Sequence, residues 1–439
     1  MQPLLDAIAA MPLPTDACRI FHGRGGRYPG CEQWTLDAYP PVWVLTSFLP
    51  AGDETEAQLA SIGAALAKRW EALALGQPLN WVFQCRNEAL RTQGRTQTRL
   101  MAGSVPDPHV VTEQGAQFKV HVLRGQNHGL FLDMAEGRRW VRDYAAAHSA
   151  DRYGLKVLNL FAYTCAFSVV ALQAGARQVV NVDMSHGAMA IGQQNHQLNG
   201  ITTGASFLAH DIFSSWGKIT RSGPYGLVIV DPPSYQKGSF VATKDYARLM
   251  RRLPDLLAPG GHALLCLNAP ELGVDFLQDQ MRELAPELGF VERVANPAVF
   301  ADVQDGRALK VLVYQAPGRV RAQRLFAHPQ KTRQPALLPP PCAGRCGAPA
   351  LSHSVLATAA GATSGRFQAQ PLPSRATMWF QCTASTGVME RRLPFCSTRR
   401  SASGGWLRSS ERGSSRVLRS ACTSSSSQRG ASGEDLGSW

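Results

Sequence analysis

Several things are missing from this chain, and each absence removes a class of protein. No stretch of 18 consecutive apolar residues occurs, so no membrane-spanning helix is expected. The opening Met1-Gln2-Pro3-Leu4-Leu5-Asp6 has no basic segment followed by an apolar run. No secretory leader is expected, and a cytoplasmic location follows by default. Cys18, Cys31, Cys85, Cys165 and Cys266 are scattered and form no C-x-x-C pair or His cluster. They are expected to be buried free thiols rather than disulfides or zinc ligands. The spacing G-x-G-x-x-G is absent after the apolar stretch Val157–Leu160. A pyrophosphate needs those glycines for close backbone approach, so a dinucleotide-dependent dehydrogenase is disfavoured.

Acidic residues are few, 32 against 45 Lys+Arg, for a net charge of +13. The imbalance is local. Residues 326–439 hold 14 Lys+Arg and 4 Asp+Glu, which leaves only +3 for residues 1–325. Overall charge is therefore a weak pointer to a nucleic-acid partner. Past about Gln323, Pro339-Pro340-Pro341, scattered Ser-Arg pairs and Ser424–Ser427 replace any apolar period. Such composition cannot pack a core, so a disordered basic tail is expected over 326–439. Five further cysteines among Arg, Ser and Pro leave a second reading open, sequence outside the native frame.

Residues 1–104 read as a smaller α/β region. Val42–Leu45 and Trp81–Cys85 suggest strands, and Glu54–Leu75 an amphipathic helix with Leu59, Ile62, Leu66 and Trp70 on one face. Arg86, Arg91, Arg95 and Arg99 follow, as a solvated loop or as a phosphate-contacting surface. Val110–Thr112, Phe118–Val122 and Gly129–Asp133 look like short strands, with a helix from Ala135 to Ala147. From Lys156 strands and helices alternate. Strands are expected at Val157–Leu160, Val179–Val182, Ser206–Leu208, Leu227–Val230 and Ala263–Leu267. Helices are expected at Phe167–Ala174, His186–Leu198 and Lys244–Leu257. Apolar strands separated by helices indicate a parallel sheet covered on both faces. Phe290–Val294 and Leu309–Tyr314 predict a final antiparallel pair. The expected fold is α/β, a Rossmann-like sheet of seven strands.

Ligands of open α/β sheets sit at the carboxyl ends of the strands. Asn159 to Ser168 reads as strand, sharp turn and helix start, with Thr164-Cys165-Ala166 at the turn. Such a turn suffices for S-adenosylmethionine (SAM), which has no phosphate. Asp183 ends the next strand and can accept both ribose hydroxyls; the alternative is a carboxylate at a helix N-terminus. Asp211 follows the third strand, placed for an adenine amino group with Ile212 against the ring; the alternative is an N-cap. Asp231-Pro232-Pro233-Ser234-Tyr235 follows the buried strand Gly226–Val230. Two prolines stiffen the turn and leave carbonyls free as acceptors. Asp231 and those carbonyls suit a base nitrogen, and Tyr235 suits stacking on a planar base. A rigid loop with a capping Asp is the bland alternative.

These residues resemble the SAM-dependent methyltransferase family of bacterial 23S ribosomal RNA enzymes. The resemblance rests on Asn159-Leu160-Phe161-Ala162-Tyr163-Thr164 and on Gly129-Leu130-Phe131-Leu132-Asp133 with Arg138. It also rests on Asp183, Asn195, Asn199-Gly200 and Asp231–Tyr235, and covers about residues 105–315. It implies a class I methyltransferase domain over 105–320 and SAM bound by Phe131, Asp133, Asn159, Phe161, Tyr163, Thr164, Asp183, Met184, Asp211 and Ile212. Asp231, Pro232 and Tyr235 would serve the acceptor. The implied partner is ribosomal RNA, free or in pre-ribosomal particles. Cytosine-C5 members of the family attack with a cysteine after the fifth strand. Counting from Gly260-Gly261, Asn268 stands there and Cys266 two residues earlier. The chain thus looks closer to the guanine-N7 members, which have asparagine. Cytosine-C5 methylation through Cys266 is the alternative, and an RNA-binding protein with a vestigial SAM site the rival from another class. Cys165-Ala166 departs from a more usual Gly-Gly turn.

Overall fold

A computed structural model describes residues 1–318 apart from 51, 88, 90–95, 152, 234 and 237–239, together with the side chains of 53, 235 and 236. Arg91, Arg95, Ser234, the Tyr235 ring and the 326–439 tail therefore lie outside the described residues.

Val42 and its alternating apolar neighbours build a first sheet. Its strands are β1 (Cys18–His22), β2 (Trp34–Tyr39), β3 (Val42–Ser47), β4 (Asn80–Cys85) and β5 (Gln97–Ala102), in spatial order β1-β2-β3-β4-β5. The crossover helix α2 (Asp53–Leu73) makes β3 and β4 parallel. Its expected face, Leu59, Ile62, Leu66 and Trp70, is buried. Helix α1 (Gln2–Ala10) packs with α2, a helix the sequence reading omitted.

A hairpin, β6 (His109–Glu113) and β7 (Ala116–Val120), leads to the second sheet. Gly129–Asp133 is not a strand. Leu132–Met134 is a 3-10 turn that runs straight into α3 (Ala135–Ala147). Gly129 has φ +102, where the chain turns away from β7, which breaks extended pairing.

The main sheet contains β8 (Lys156–Leu160), β9 (Gln178–Asp183), β10 (Ala205–Ala209), β11 (Tyr225–Val230), β14 (Leu257–Leu267), β15 (Gly289–Arg293) and β16 (Lys310–Gln315). A small pair, β12 (Tyr235–Gln236) and β13 (Phe240–Val241), lies between β11 and β14 in sequence. The order of the main sheet is β10-β9-β8-β11-β14-β16-β15, and β16 is antiparallel to both neighbours. This is the class I methyltransferase sheet. The helices are α4 (Ala166–Gln173), α5 (His186–Leu198), α6 (Trp216–Ser222), α7 (Ala242–Met250), α8 (Leu253–Leu256) and α9 (Val274–Leu284). The single helix expected over Lys244–Leu257 is two, because Pro254 lacks an N–H and its ring clashes with the preceding turn. No helix among the described residues is long and apolar enough to cross a membrane.

One face of the main sheet shares its core with the first sheet: Tyr39, Val44 and Val82 pack in one cluster with Phe118, Val157 and Ile229. The opposite face packs α6, α7 and α9 through Ile219, Tyr246, Leu249 and Leu277.

Candidate active site

β8 delivers the chain to a turn at the carboxyl edge of the sheet. Phe161, Tyr163 and Cys165 have φ of 57°, 47° and 62°. The left-handed shape of a glycine turn is thus kept without glycine, at roughly 1–3 kcal/mol for each such residue. The surroundings hold it. Tyr163 N–H donates to Asp183 Oδ2 at 2.8 Å, and Thr164 Oγ1 donates to the Gly129 carbonyl at 2.6 Å. Asn195 Nδ2 donates to the Thr164 carbonyl at 3.0 Å. The Cys165 side chain fits because α5 presents Gly192 to it; a Cβ there would stand 2.5 Å from Cys165 Sγ.

Asp183 closes β9 with one oxygen on Tyr163 N–H and the other on Ser185 N–H, 2.7 Å away. Ser185, not Asp183, caps α5. Each Asp183 oxygen keeps a further acceptor direction. Met184 beside it is 50% exposed. Asp211 accepts from Phe213 N–H at 2.8 Å, while Ser215 is the N-cap of α6. Asp211 is thus not the N-cap that the sequence left open, whereas the Asp183 carboxylate does lie at the N-terminus of α5. Ile212 is buried in the core. Asn159 is also buried, and its Nδ2 donates to Asn181 Oδ1 at 2.9 Å. Its own Oδ1 is unpaired among the described residues.

The other wall is the segment before α3. Phe131 is exposed, and its ring lies 5.2 Å from that of Tyr163. Burial pushes the Tyr163 hydroxyl up to about 12, and the Gly129 backbone pulls it back down. Arg138, buried on α3, makes a paired contact with Glu113 at 2.6 Å through both nitrogens and donates to the Phe131 carbonyl at 2.8 Å. Burial raises Asp133, and the guanidinium groups of Arg19 and Arg138 pull it back down. Asp231, half-buried after β11, is pushed up to about 7 by burial and then by the Asp133 charge. Arg138 and a hydrogen bond from the Cys266 thiol act the other way. Pro232 is buried beside it. Phe161 packs edge-on against Phe240, 5.2 Å away, which ties the cofactor turn to the hairpin after Asp231. Burial and the two carboxylates hold the Cys266 thiol well above its ordinary value.

A family model described as S-adenosylmethionine-dependent methyltransferase matches residues 18–315. The chain belongs to this family. SAM is accordingly its cofactor. Among curated methyltransferases, ribosomal RNA large subunit methyltransferase I of Aeromonas salmonicida is 29% identical over 53% of this chain and 56% of its own length. The protein of the same name from Erwinia tasmaniensis is 29% identical over 67% of this chain and 73% of its own. The chain thus spans little more than half of the Aeromonas relative. A crystal structure described as a methyltransferase complexed with SAH shares the fold, at 23% identity, TM-score 0.58, and coverage of 72% of this chain and 81% of that one.

The fold gives Asn195 and Asn199, so far noted only for the family resemblance, a structural role, and it adds supports that the sequence reading did not name. Asn195 and Asn199 act as a substitute strand edge. Asn195 Oδ1 accepts from Lys119 N–H at 2.8 Å, and Asn199 Oδ1 from Gln117 N–H at 2.9 Å. They pin β7 to α5 and the cofactor turn. The first sheet fixes the Phe131 segment from behind. Tyr39 OH donates to the Leu130 carbonyl at 3.3 Å, and Gln84 Nε2 to the Val122 carbonyl at 2.8 Å. Arg86 lies within hydrogen-bond reach of Gln84 and His128, and Arg99 pairs with Glu56 at 2.8 Å. Those two arginines of the basic segment are therefore engaged within the fold. Lys310 is fully buried, donates to the Ala269 and Gly306 carbonyls at 2.6 and 3.1 Å, and is lowered by burial to about 8. It fixes the segment after Asn268. A lone Lys opening a strand gives no such signal in sequence.

Proposed function

We propose that the chain methylates a base of large-subunit ribosomal RNA, with guanine as the acceptor, in the free RNA or in a pre-ribosomal particle. The observation that carries the reading is Asp231 with Asp133 and Arg138 at the end of the fourth strand, beside a turn shaped for a nucleoside cofactor. The names of the curated relatives support ribosomal RNA as the substrate.

The residues present fit SAM. Phe131 and Met184 leave apolar surface exposed at the turn, and Asp183 offers acceptors there. Asn159 Oδ1 is a buried acceptor lacking a partner among the described residues. We assign Phe131, Asp133, Asn159, Phe161, Tyr163, Thr164, Asp183, Met184, Asp211 and Ile212 to the cofactor. When bound, SAM supplies an activated methyl group. The protein's work is alignment of the acceptor nitrogen and exclusion of water. Asp231 as carboxylate accepts a hydrogen bond from an amino N–H of the base. Guanine N7 already has its lone pair, so no proton needs to be removed for attack there. Tyr235 is assigned to stacking on the base. The buried Cys266 thiol, held protonated, argues against a cysteine nucleophile and hence against cytosine-C5 chemistry.

The test is transfer of labelled methyl from SAM to 23S ribosomal RNA, with mass-spectrometric mapping of the product. Label on a guanine that persists in Cys266→Ala is the expected result. Label on cytosine that disappears in Cys266→Ala would overturn the guanine reading. SAM binding without transfer to any ribosomal RNA would overturn the substrate.

A further inference from the structure

We infer that the open pocket between α6 and α7 is a docking site for the RNA strand that carries the target base. This rests on RNA as the substrate, but the surface is separate from the assigned SAM and acceptor residues. The pocket has a volume of about 450 Å³ and is lined by Phe213, Trp216, Arg248, Arg251 and Arg252. No acidic side chain among the described residues lines it. Arg248 lies over the Phe213 ring, 3.7 Å from its centroid, and Arg252 approaches Trp216 at 5.6 Å. Among the described residues Arg248 has one carboxylate partner, Asp245, at 2.9 Å. Arg251 and Arg252 make no ion pair among the described residues.

Single-stranded nucleic acid is held by cations along its backbone and aromatic rings under its bases, and both are present here. A guanidinium resting on a ring keeps its planar fork oriented, so less freedom is lost when it pairs with phosphate. Charge complementarity selects the occupant. Residues 1–325 are nearly neutral overall, yet three arginines converge on this one pocket. Its place in the fold also fits. Phe213 lies two residues beyond Asp211, and α7 directly follows β13, whose Phe240 packs on Phe161 of the cofactor turn.

The experiment uses the full chain and transcripts of 23S ribosomal RNA segments, with affinity measured by fluorescence anisotropy across a salt series. The variants are Arg251→Ala/Arg252→Ala and Trp216→Ala. SAM affinity by calorimetry serves as the control for folding and should stay unchanged. The double variant should flatten the slope of log affinity against log salt by about 1.4, two contacts at about 0.7 each. Trp216→Ala should weaken binding about tenfold and raise KM for RNA with kcat intact. Wild-type slope and affinity in both variants would sink the pocket while leaving RNA methylation standing. RNA binding with the expected losses, but no methyl transfer by the wild type, would sink the methylation reading and keep the pocket. Competition by polyaspartate as strong as by RNA would make this an acidic-protein surface and overturn the assignment.

Discussion

Burial and the Asp133 carboxylate push Asp231 up to about 7, so near neutral pH its acid and carboxylate forms are both present. The carboxylate is the stronger acceptor for an amino group, since the acid form turns one oxygen into a donor. If that contact aligns the base, turnover should rise with pH through about 7, as one group loses its proton. Asp231→Asn should lower kcat roughly 10²-fold by misaligning the acceptor, with SAM affinity little changed. Stability runs the opposite way. Above the ordinary value of 3.8, the unfolded carboxyl has lost its proton while the native one retains it until about 7. Folding therefore loses stability as pH rises through that window. Melting curves should show Asp231→Asn gaining on the wild type from pH 4 to pH 7 and holding the gain above it. A second residue-scale expectation concerns Arg138. Its buried guanidinium is balanced by Glu113, at 2.6 Å. Glu113→Ala leaves that charge unpaired and should cost about 3–5 kcal/mol in denaturant unfolding. A cost under 1 kcal/mol would show that water reaches the pair.

At the scale of elements, the cofactor turn and helix α5 are fitted to one another. Cys165 takes a left-handed φ of 62° and is fully buried against Gly192. Gly192→Ala places a methyl 2.5 Å from the sulfur, and overpacking of this kind costs about 1–3 kcal/mol. Cys165→Gly removes both the sulfur and the strained side chain, leaving a backbone atom of Thr164 as the nearest neighbour at 3.4 Å. The double variant Cys165→Gly/Gly192→Ala should therefore be more stable than Gly192→Ala alone. A thermodynamic cycle should give a coupling of about 0.5–3 kcal/mol. Additive losses would show that the two side chains do not meet. The segment opposite is equally constrained. A methyl at Gly129 would lie 2.9 Å from the Lys119 carbonyl at a φ of +102°. Gly129→Ala should displace the Phe131 wall and weaken SAM binding, which calorimetry can read.

For the molecule as a whole, the two sheets share one buried cluster. Tyr39, Val42, Val44 and Val82 of the first sheet pack with Val111, Phe118 and Val120 of the hairpin and with the main sheet. The first sheet is thus part of the wall that holds Phe131 and Asp133, rather than an appendage. A chain lacking residues 1–104 should lose near-ultraviolet circular dichroism and bind a hydrophobic dye, because that cluster becomes exposed. The opposite end behaves differently. Both sheets are complete by Gln315. A chain ended after residue 323 should keep its melting temperature and its SAM affinity. A lower melting temperature would show that residues beyond it are docked.

What was legible in the sequence was local. Strand after helix after strand from Lys156 was readable because burial on two faces leaves continuous apolar runs, and these became β8, β9, β10, β11 and β14. Asp183, Asp211 and Asp231 stood out because each ends such a run, and the fold places each at a strand's carboxyl edge. The helices that were expected kept their boundaries except where Pro254 split one, whereas α1, α6 and α9 were not foreseen. Tertiary structure decided what depends on residues far apart in the chain. The left-handed turn at Phe161, Tyr163 and Cys165 could not be foreseen, since those types disfavour it and only distant partners such as Asn195 and Gly192 hold it. For Arg86 and Arg99 the sequence left a solvated loop or a phosphate surface open; in the fold Arg86 reaches His128 and Arg99 pairs with Glu56 of α2. The rise of Asp231 comes from burial and from Asp133, 98 positions earlier in the sequence. Periodicity reports the face a residue shows its neighbours, whereas a charge responds to everything the fold brings near it.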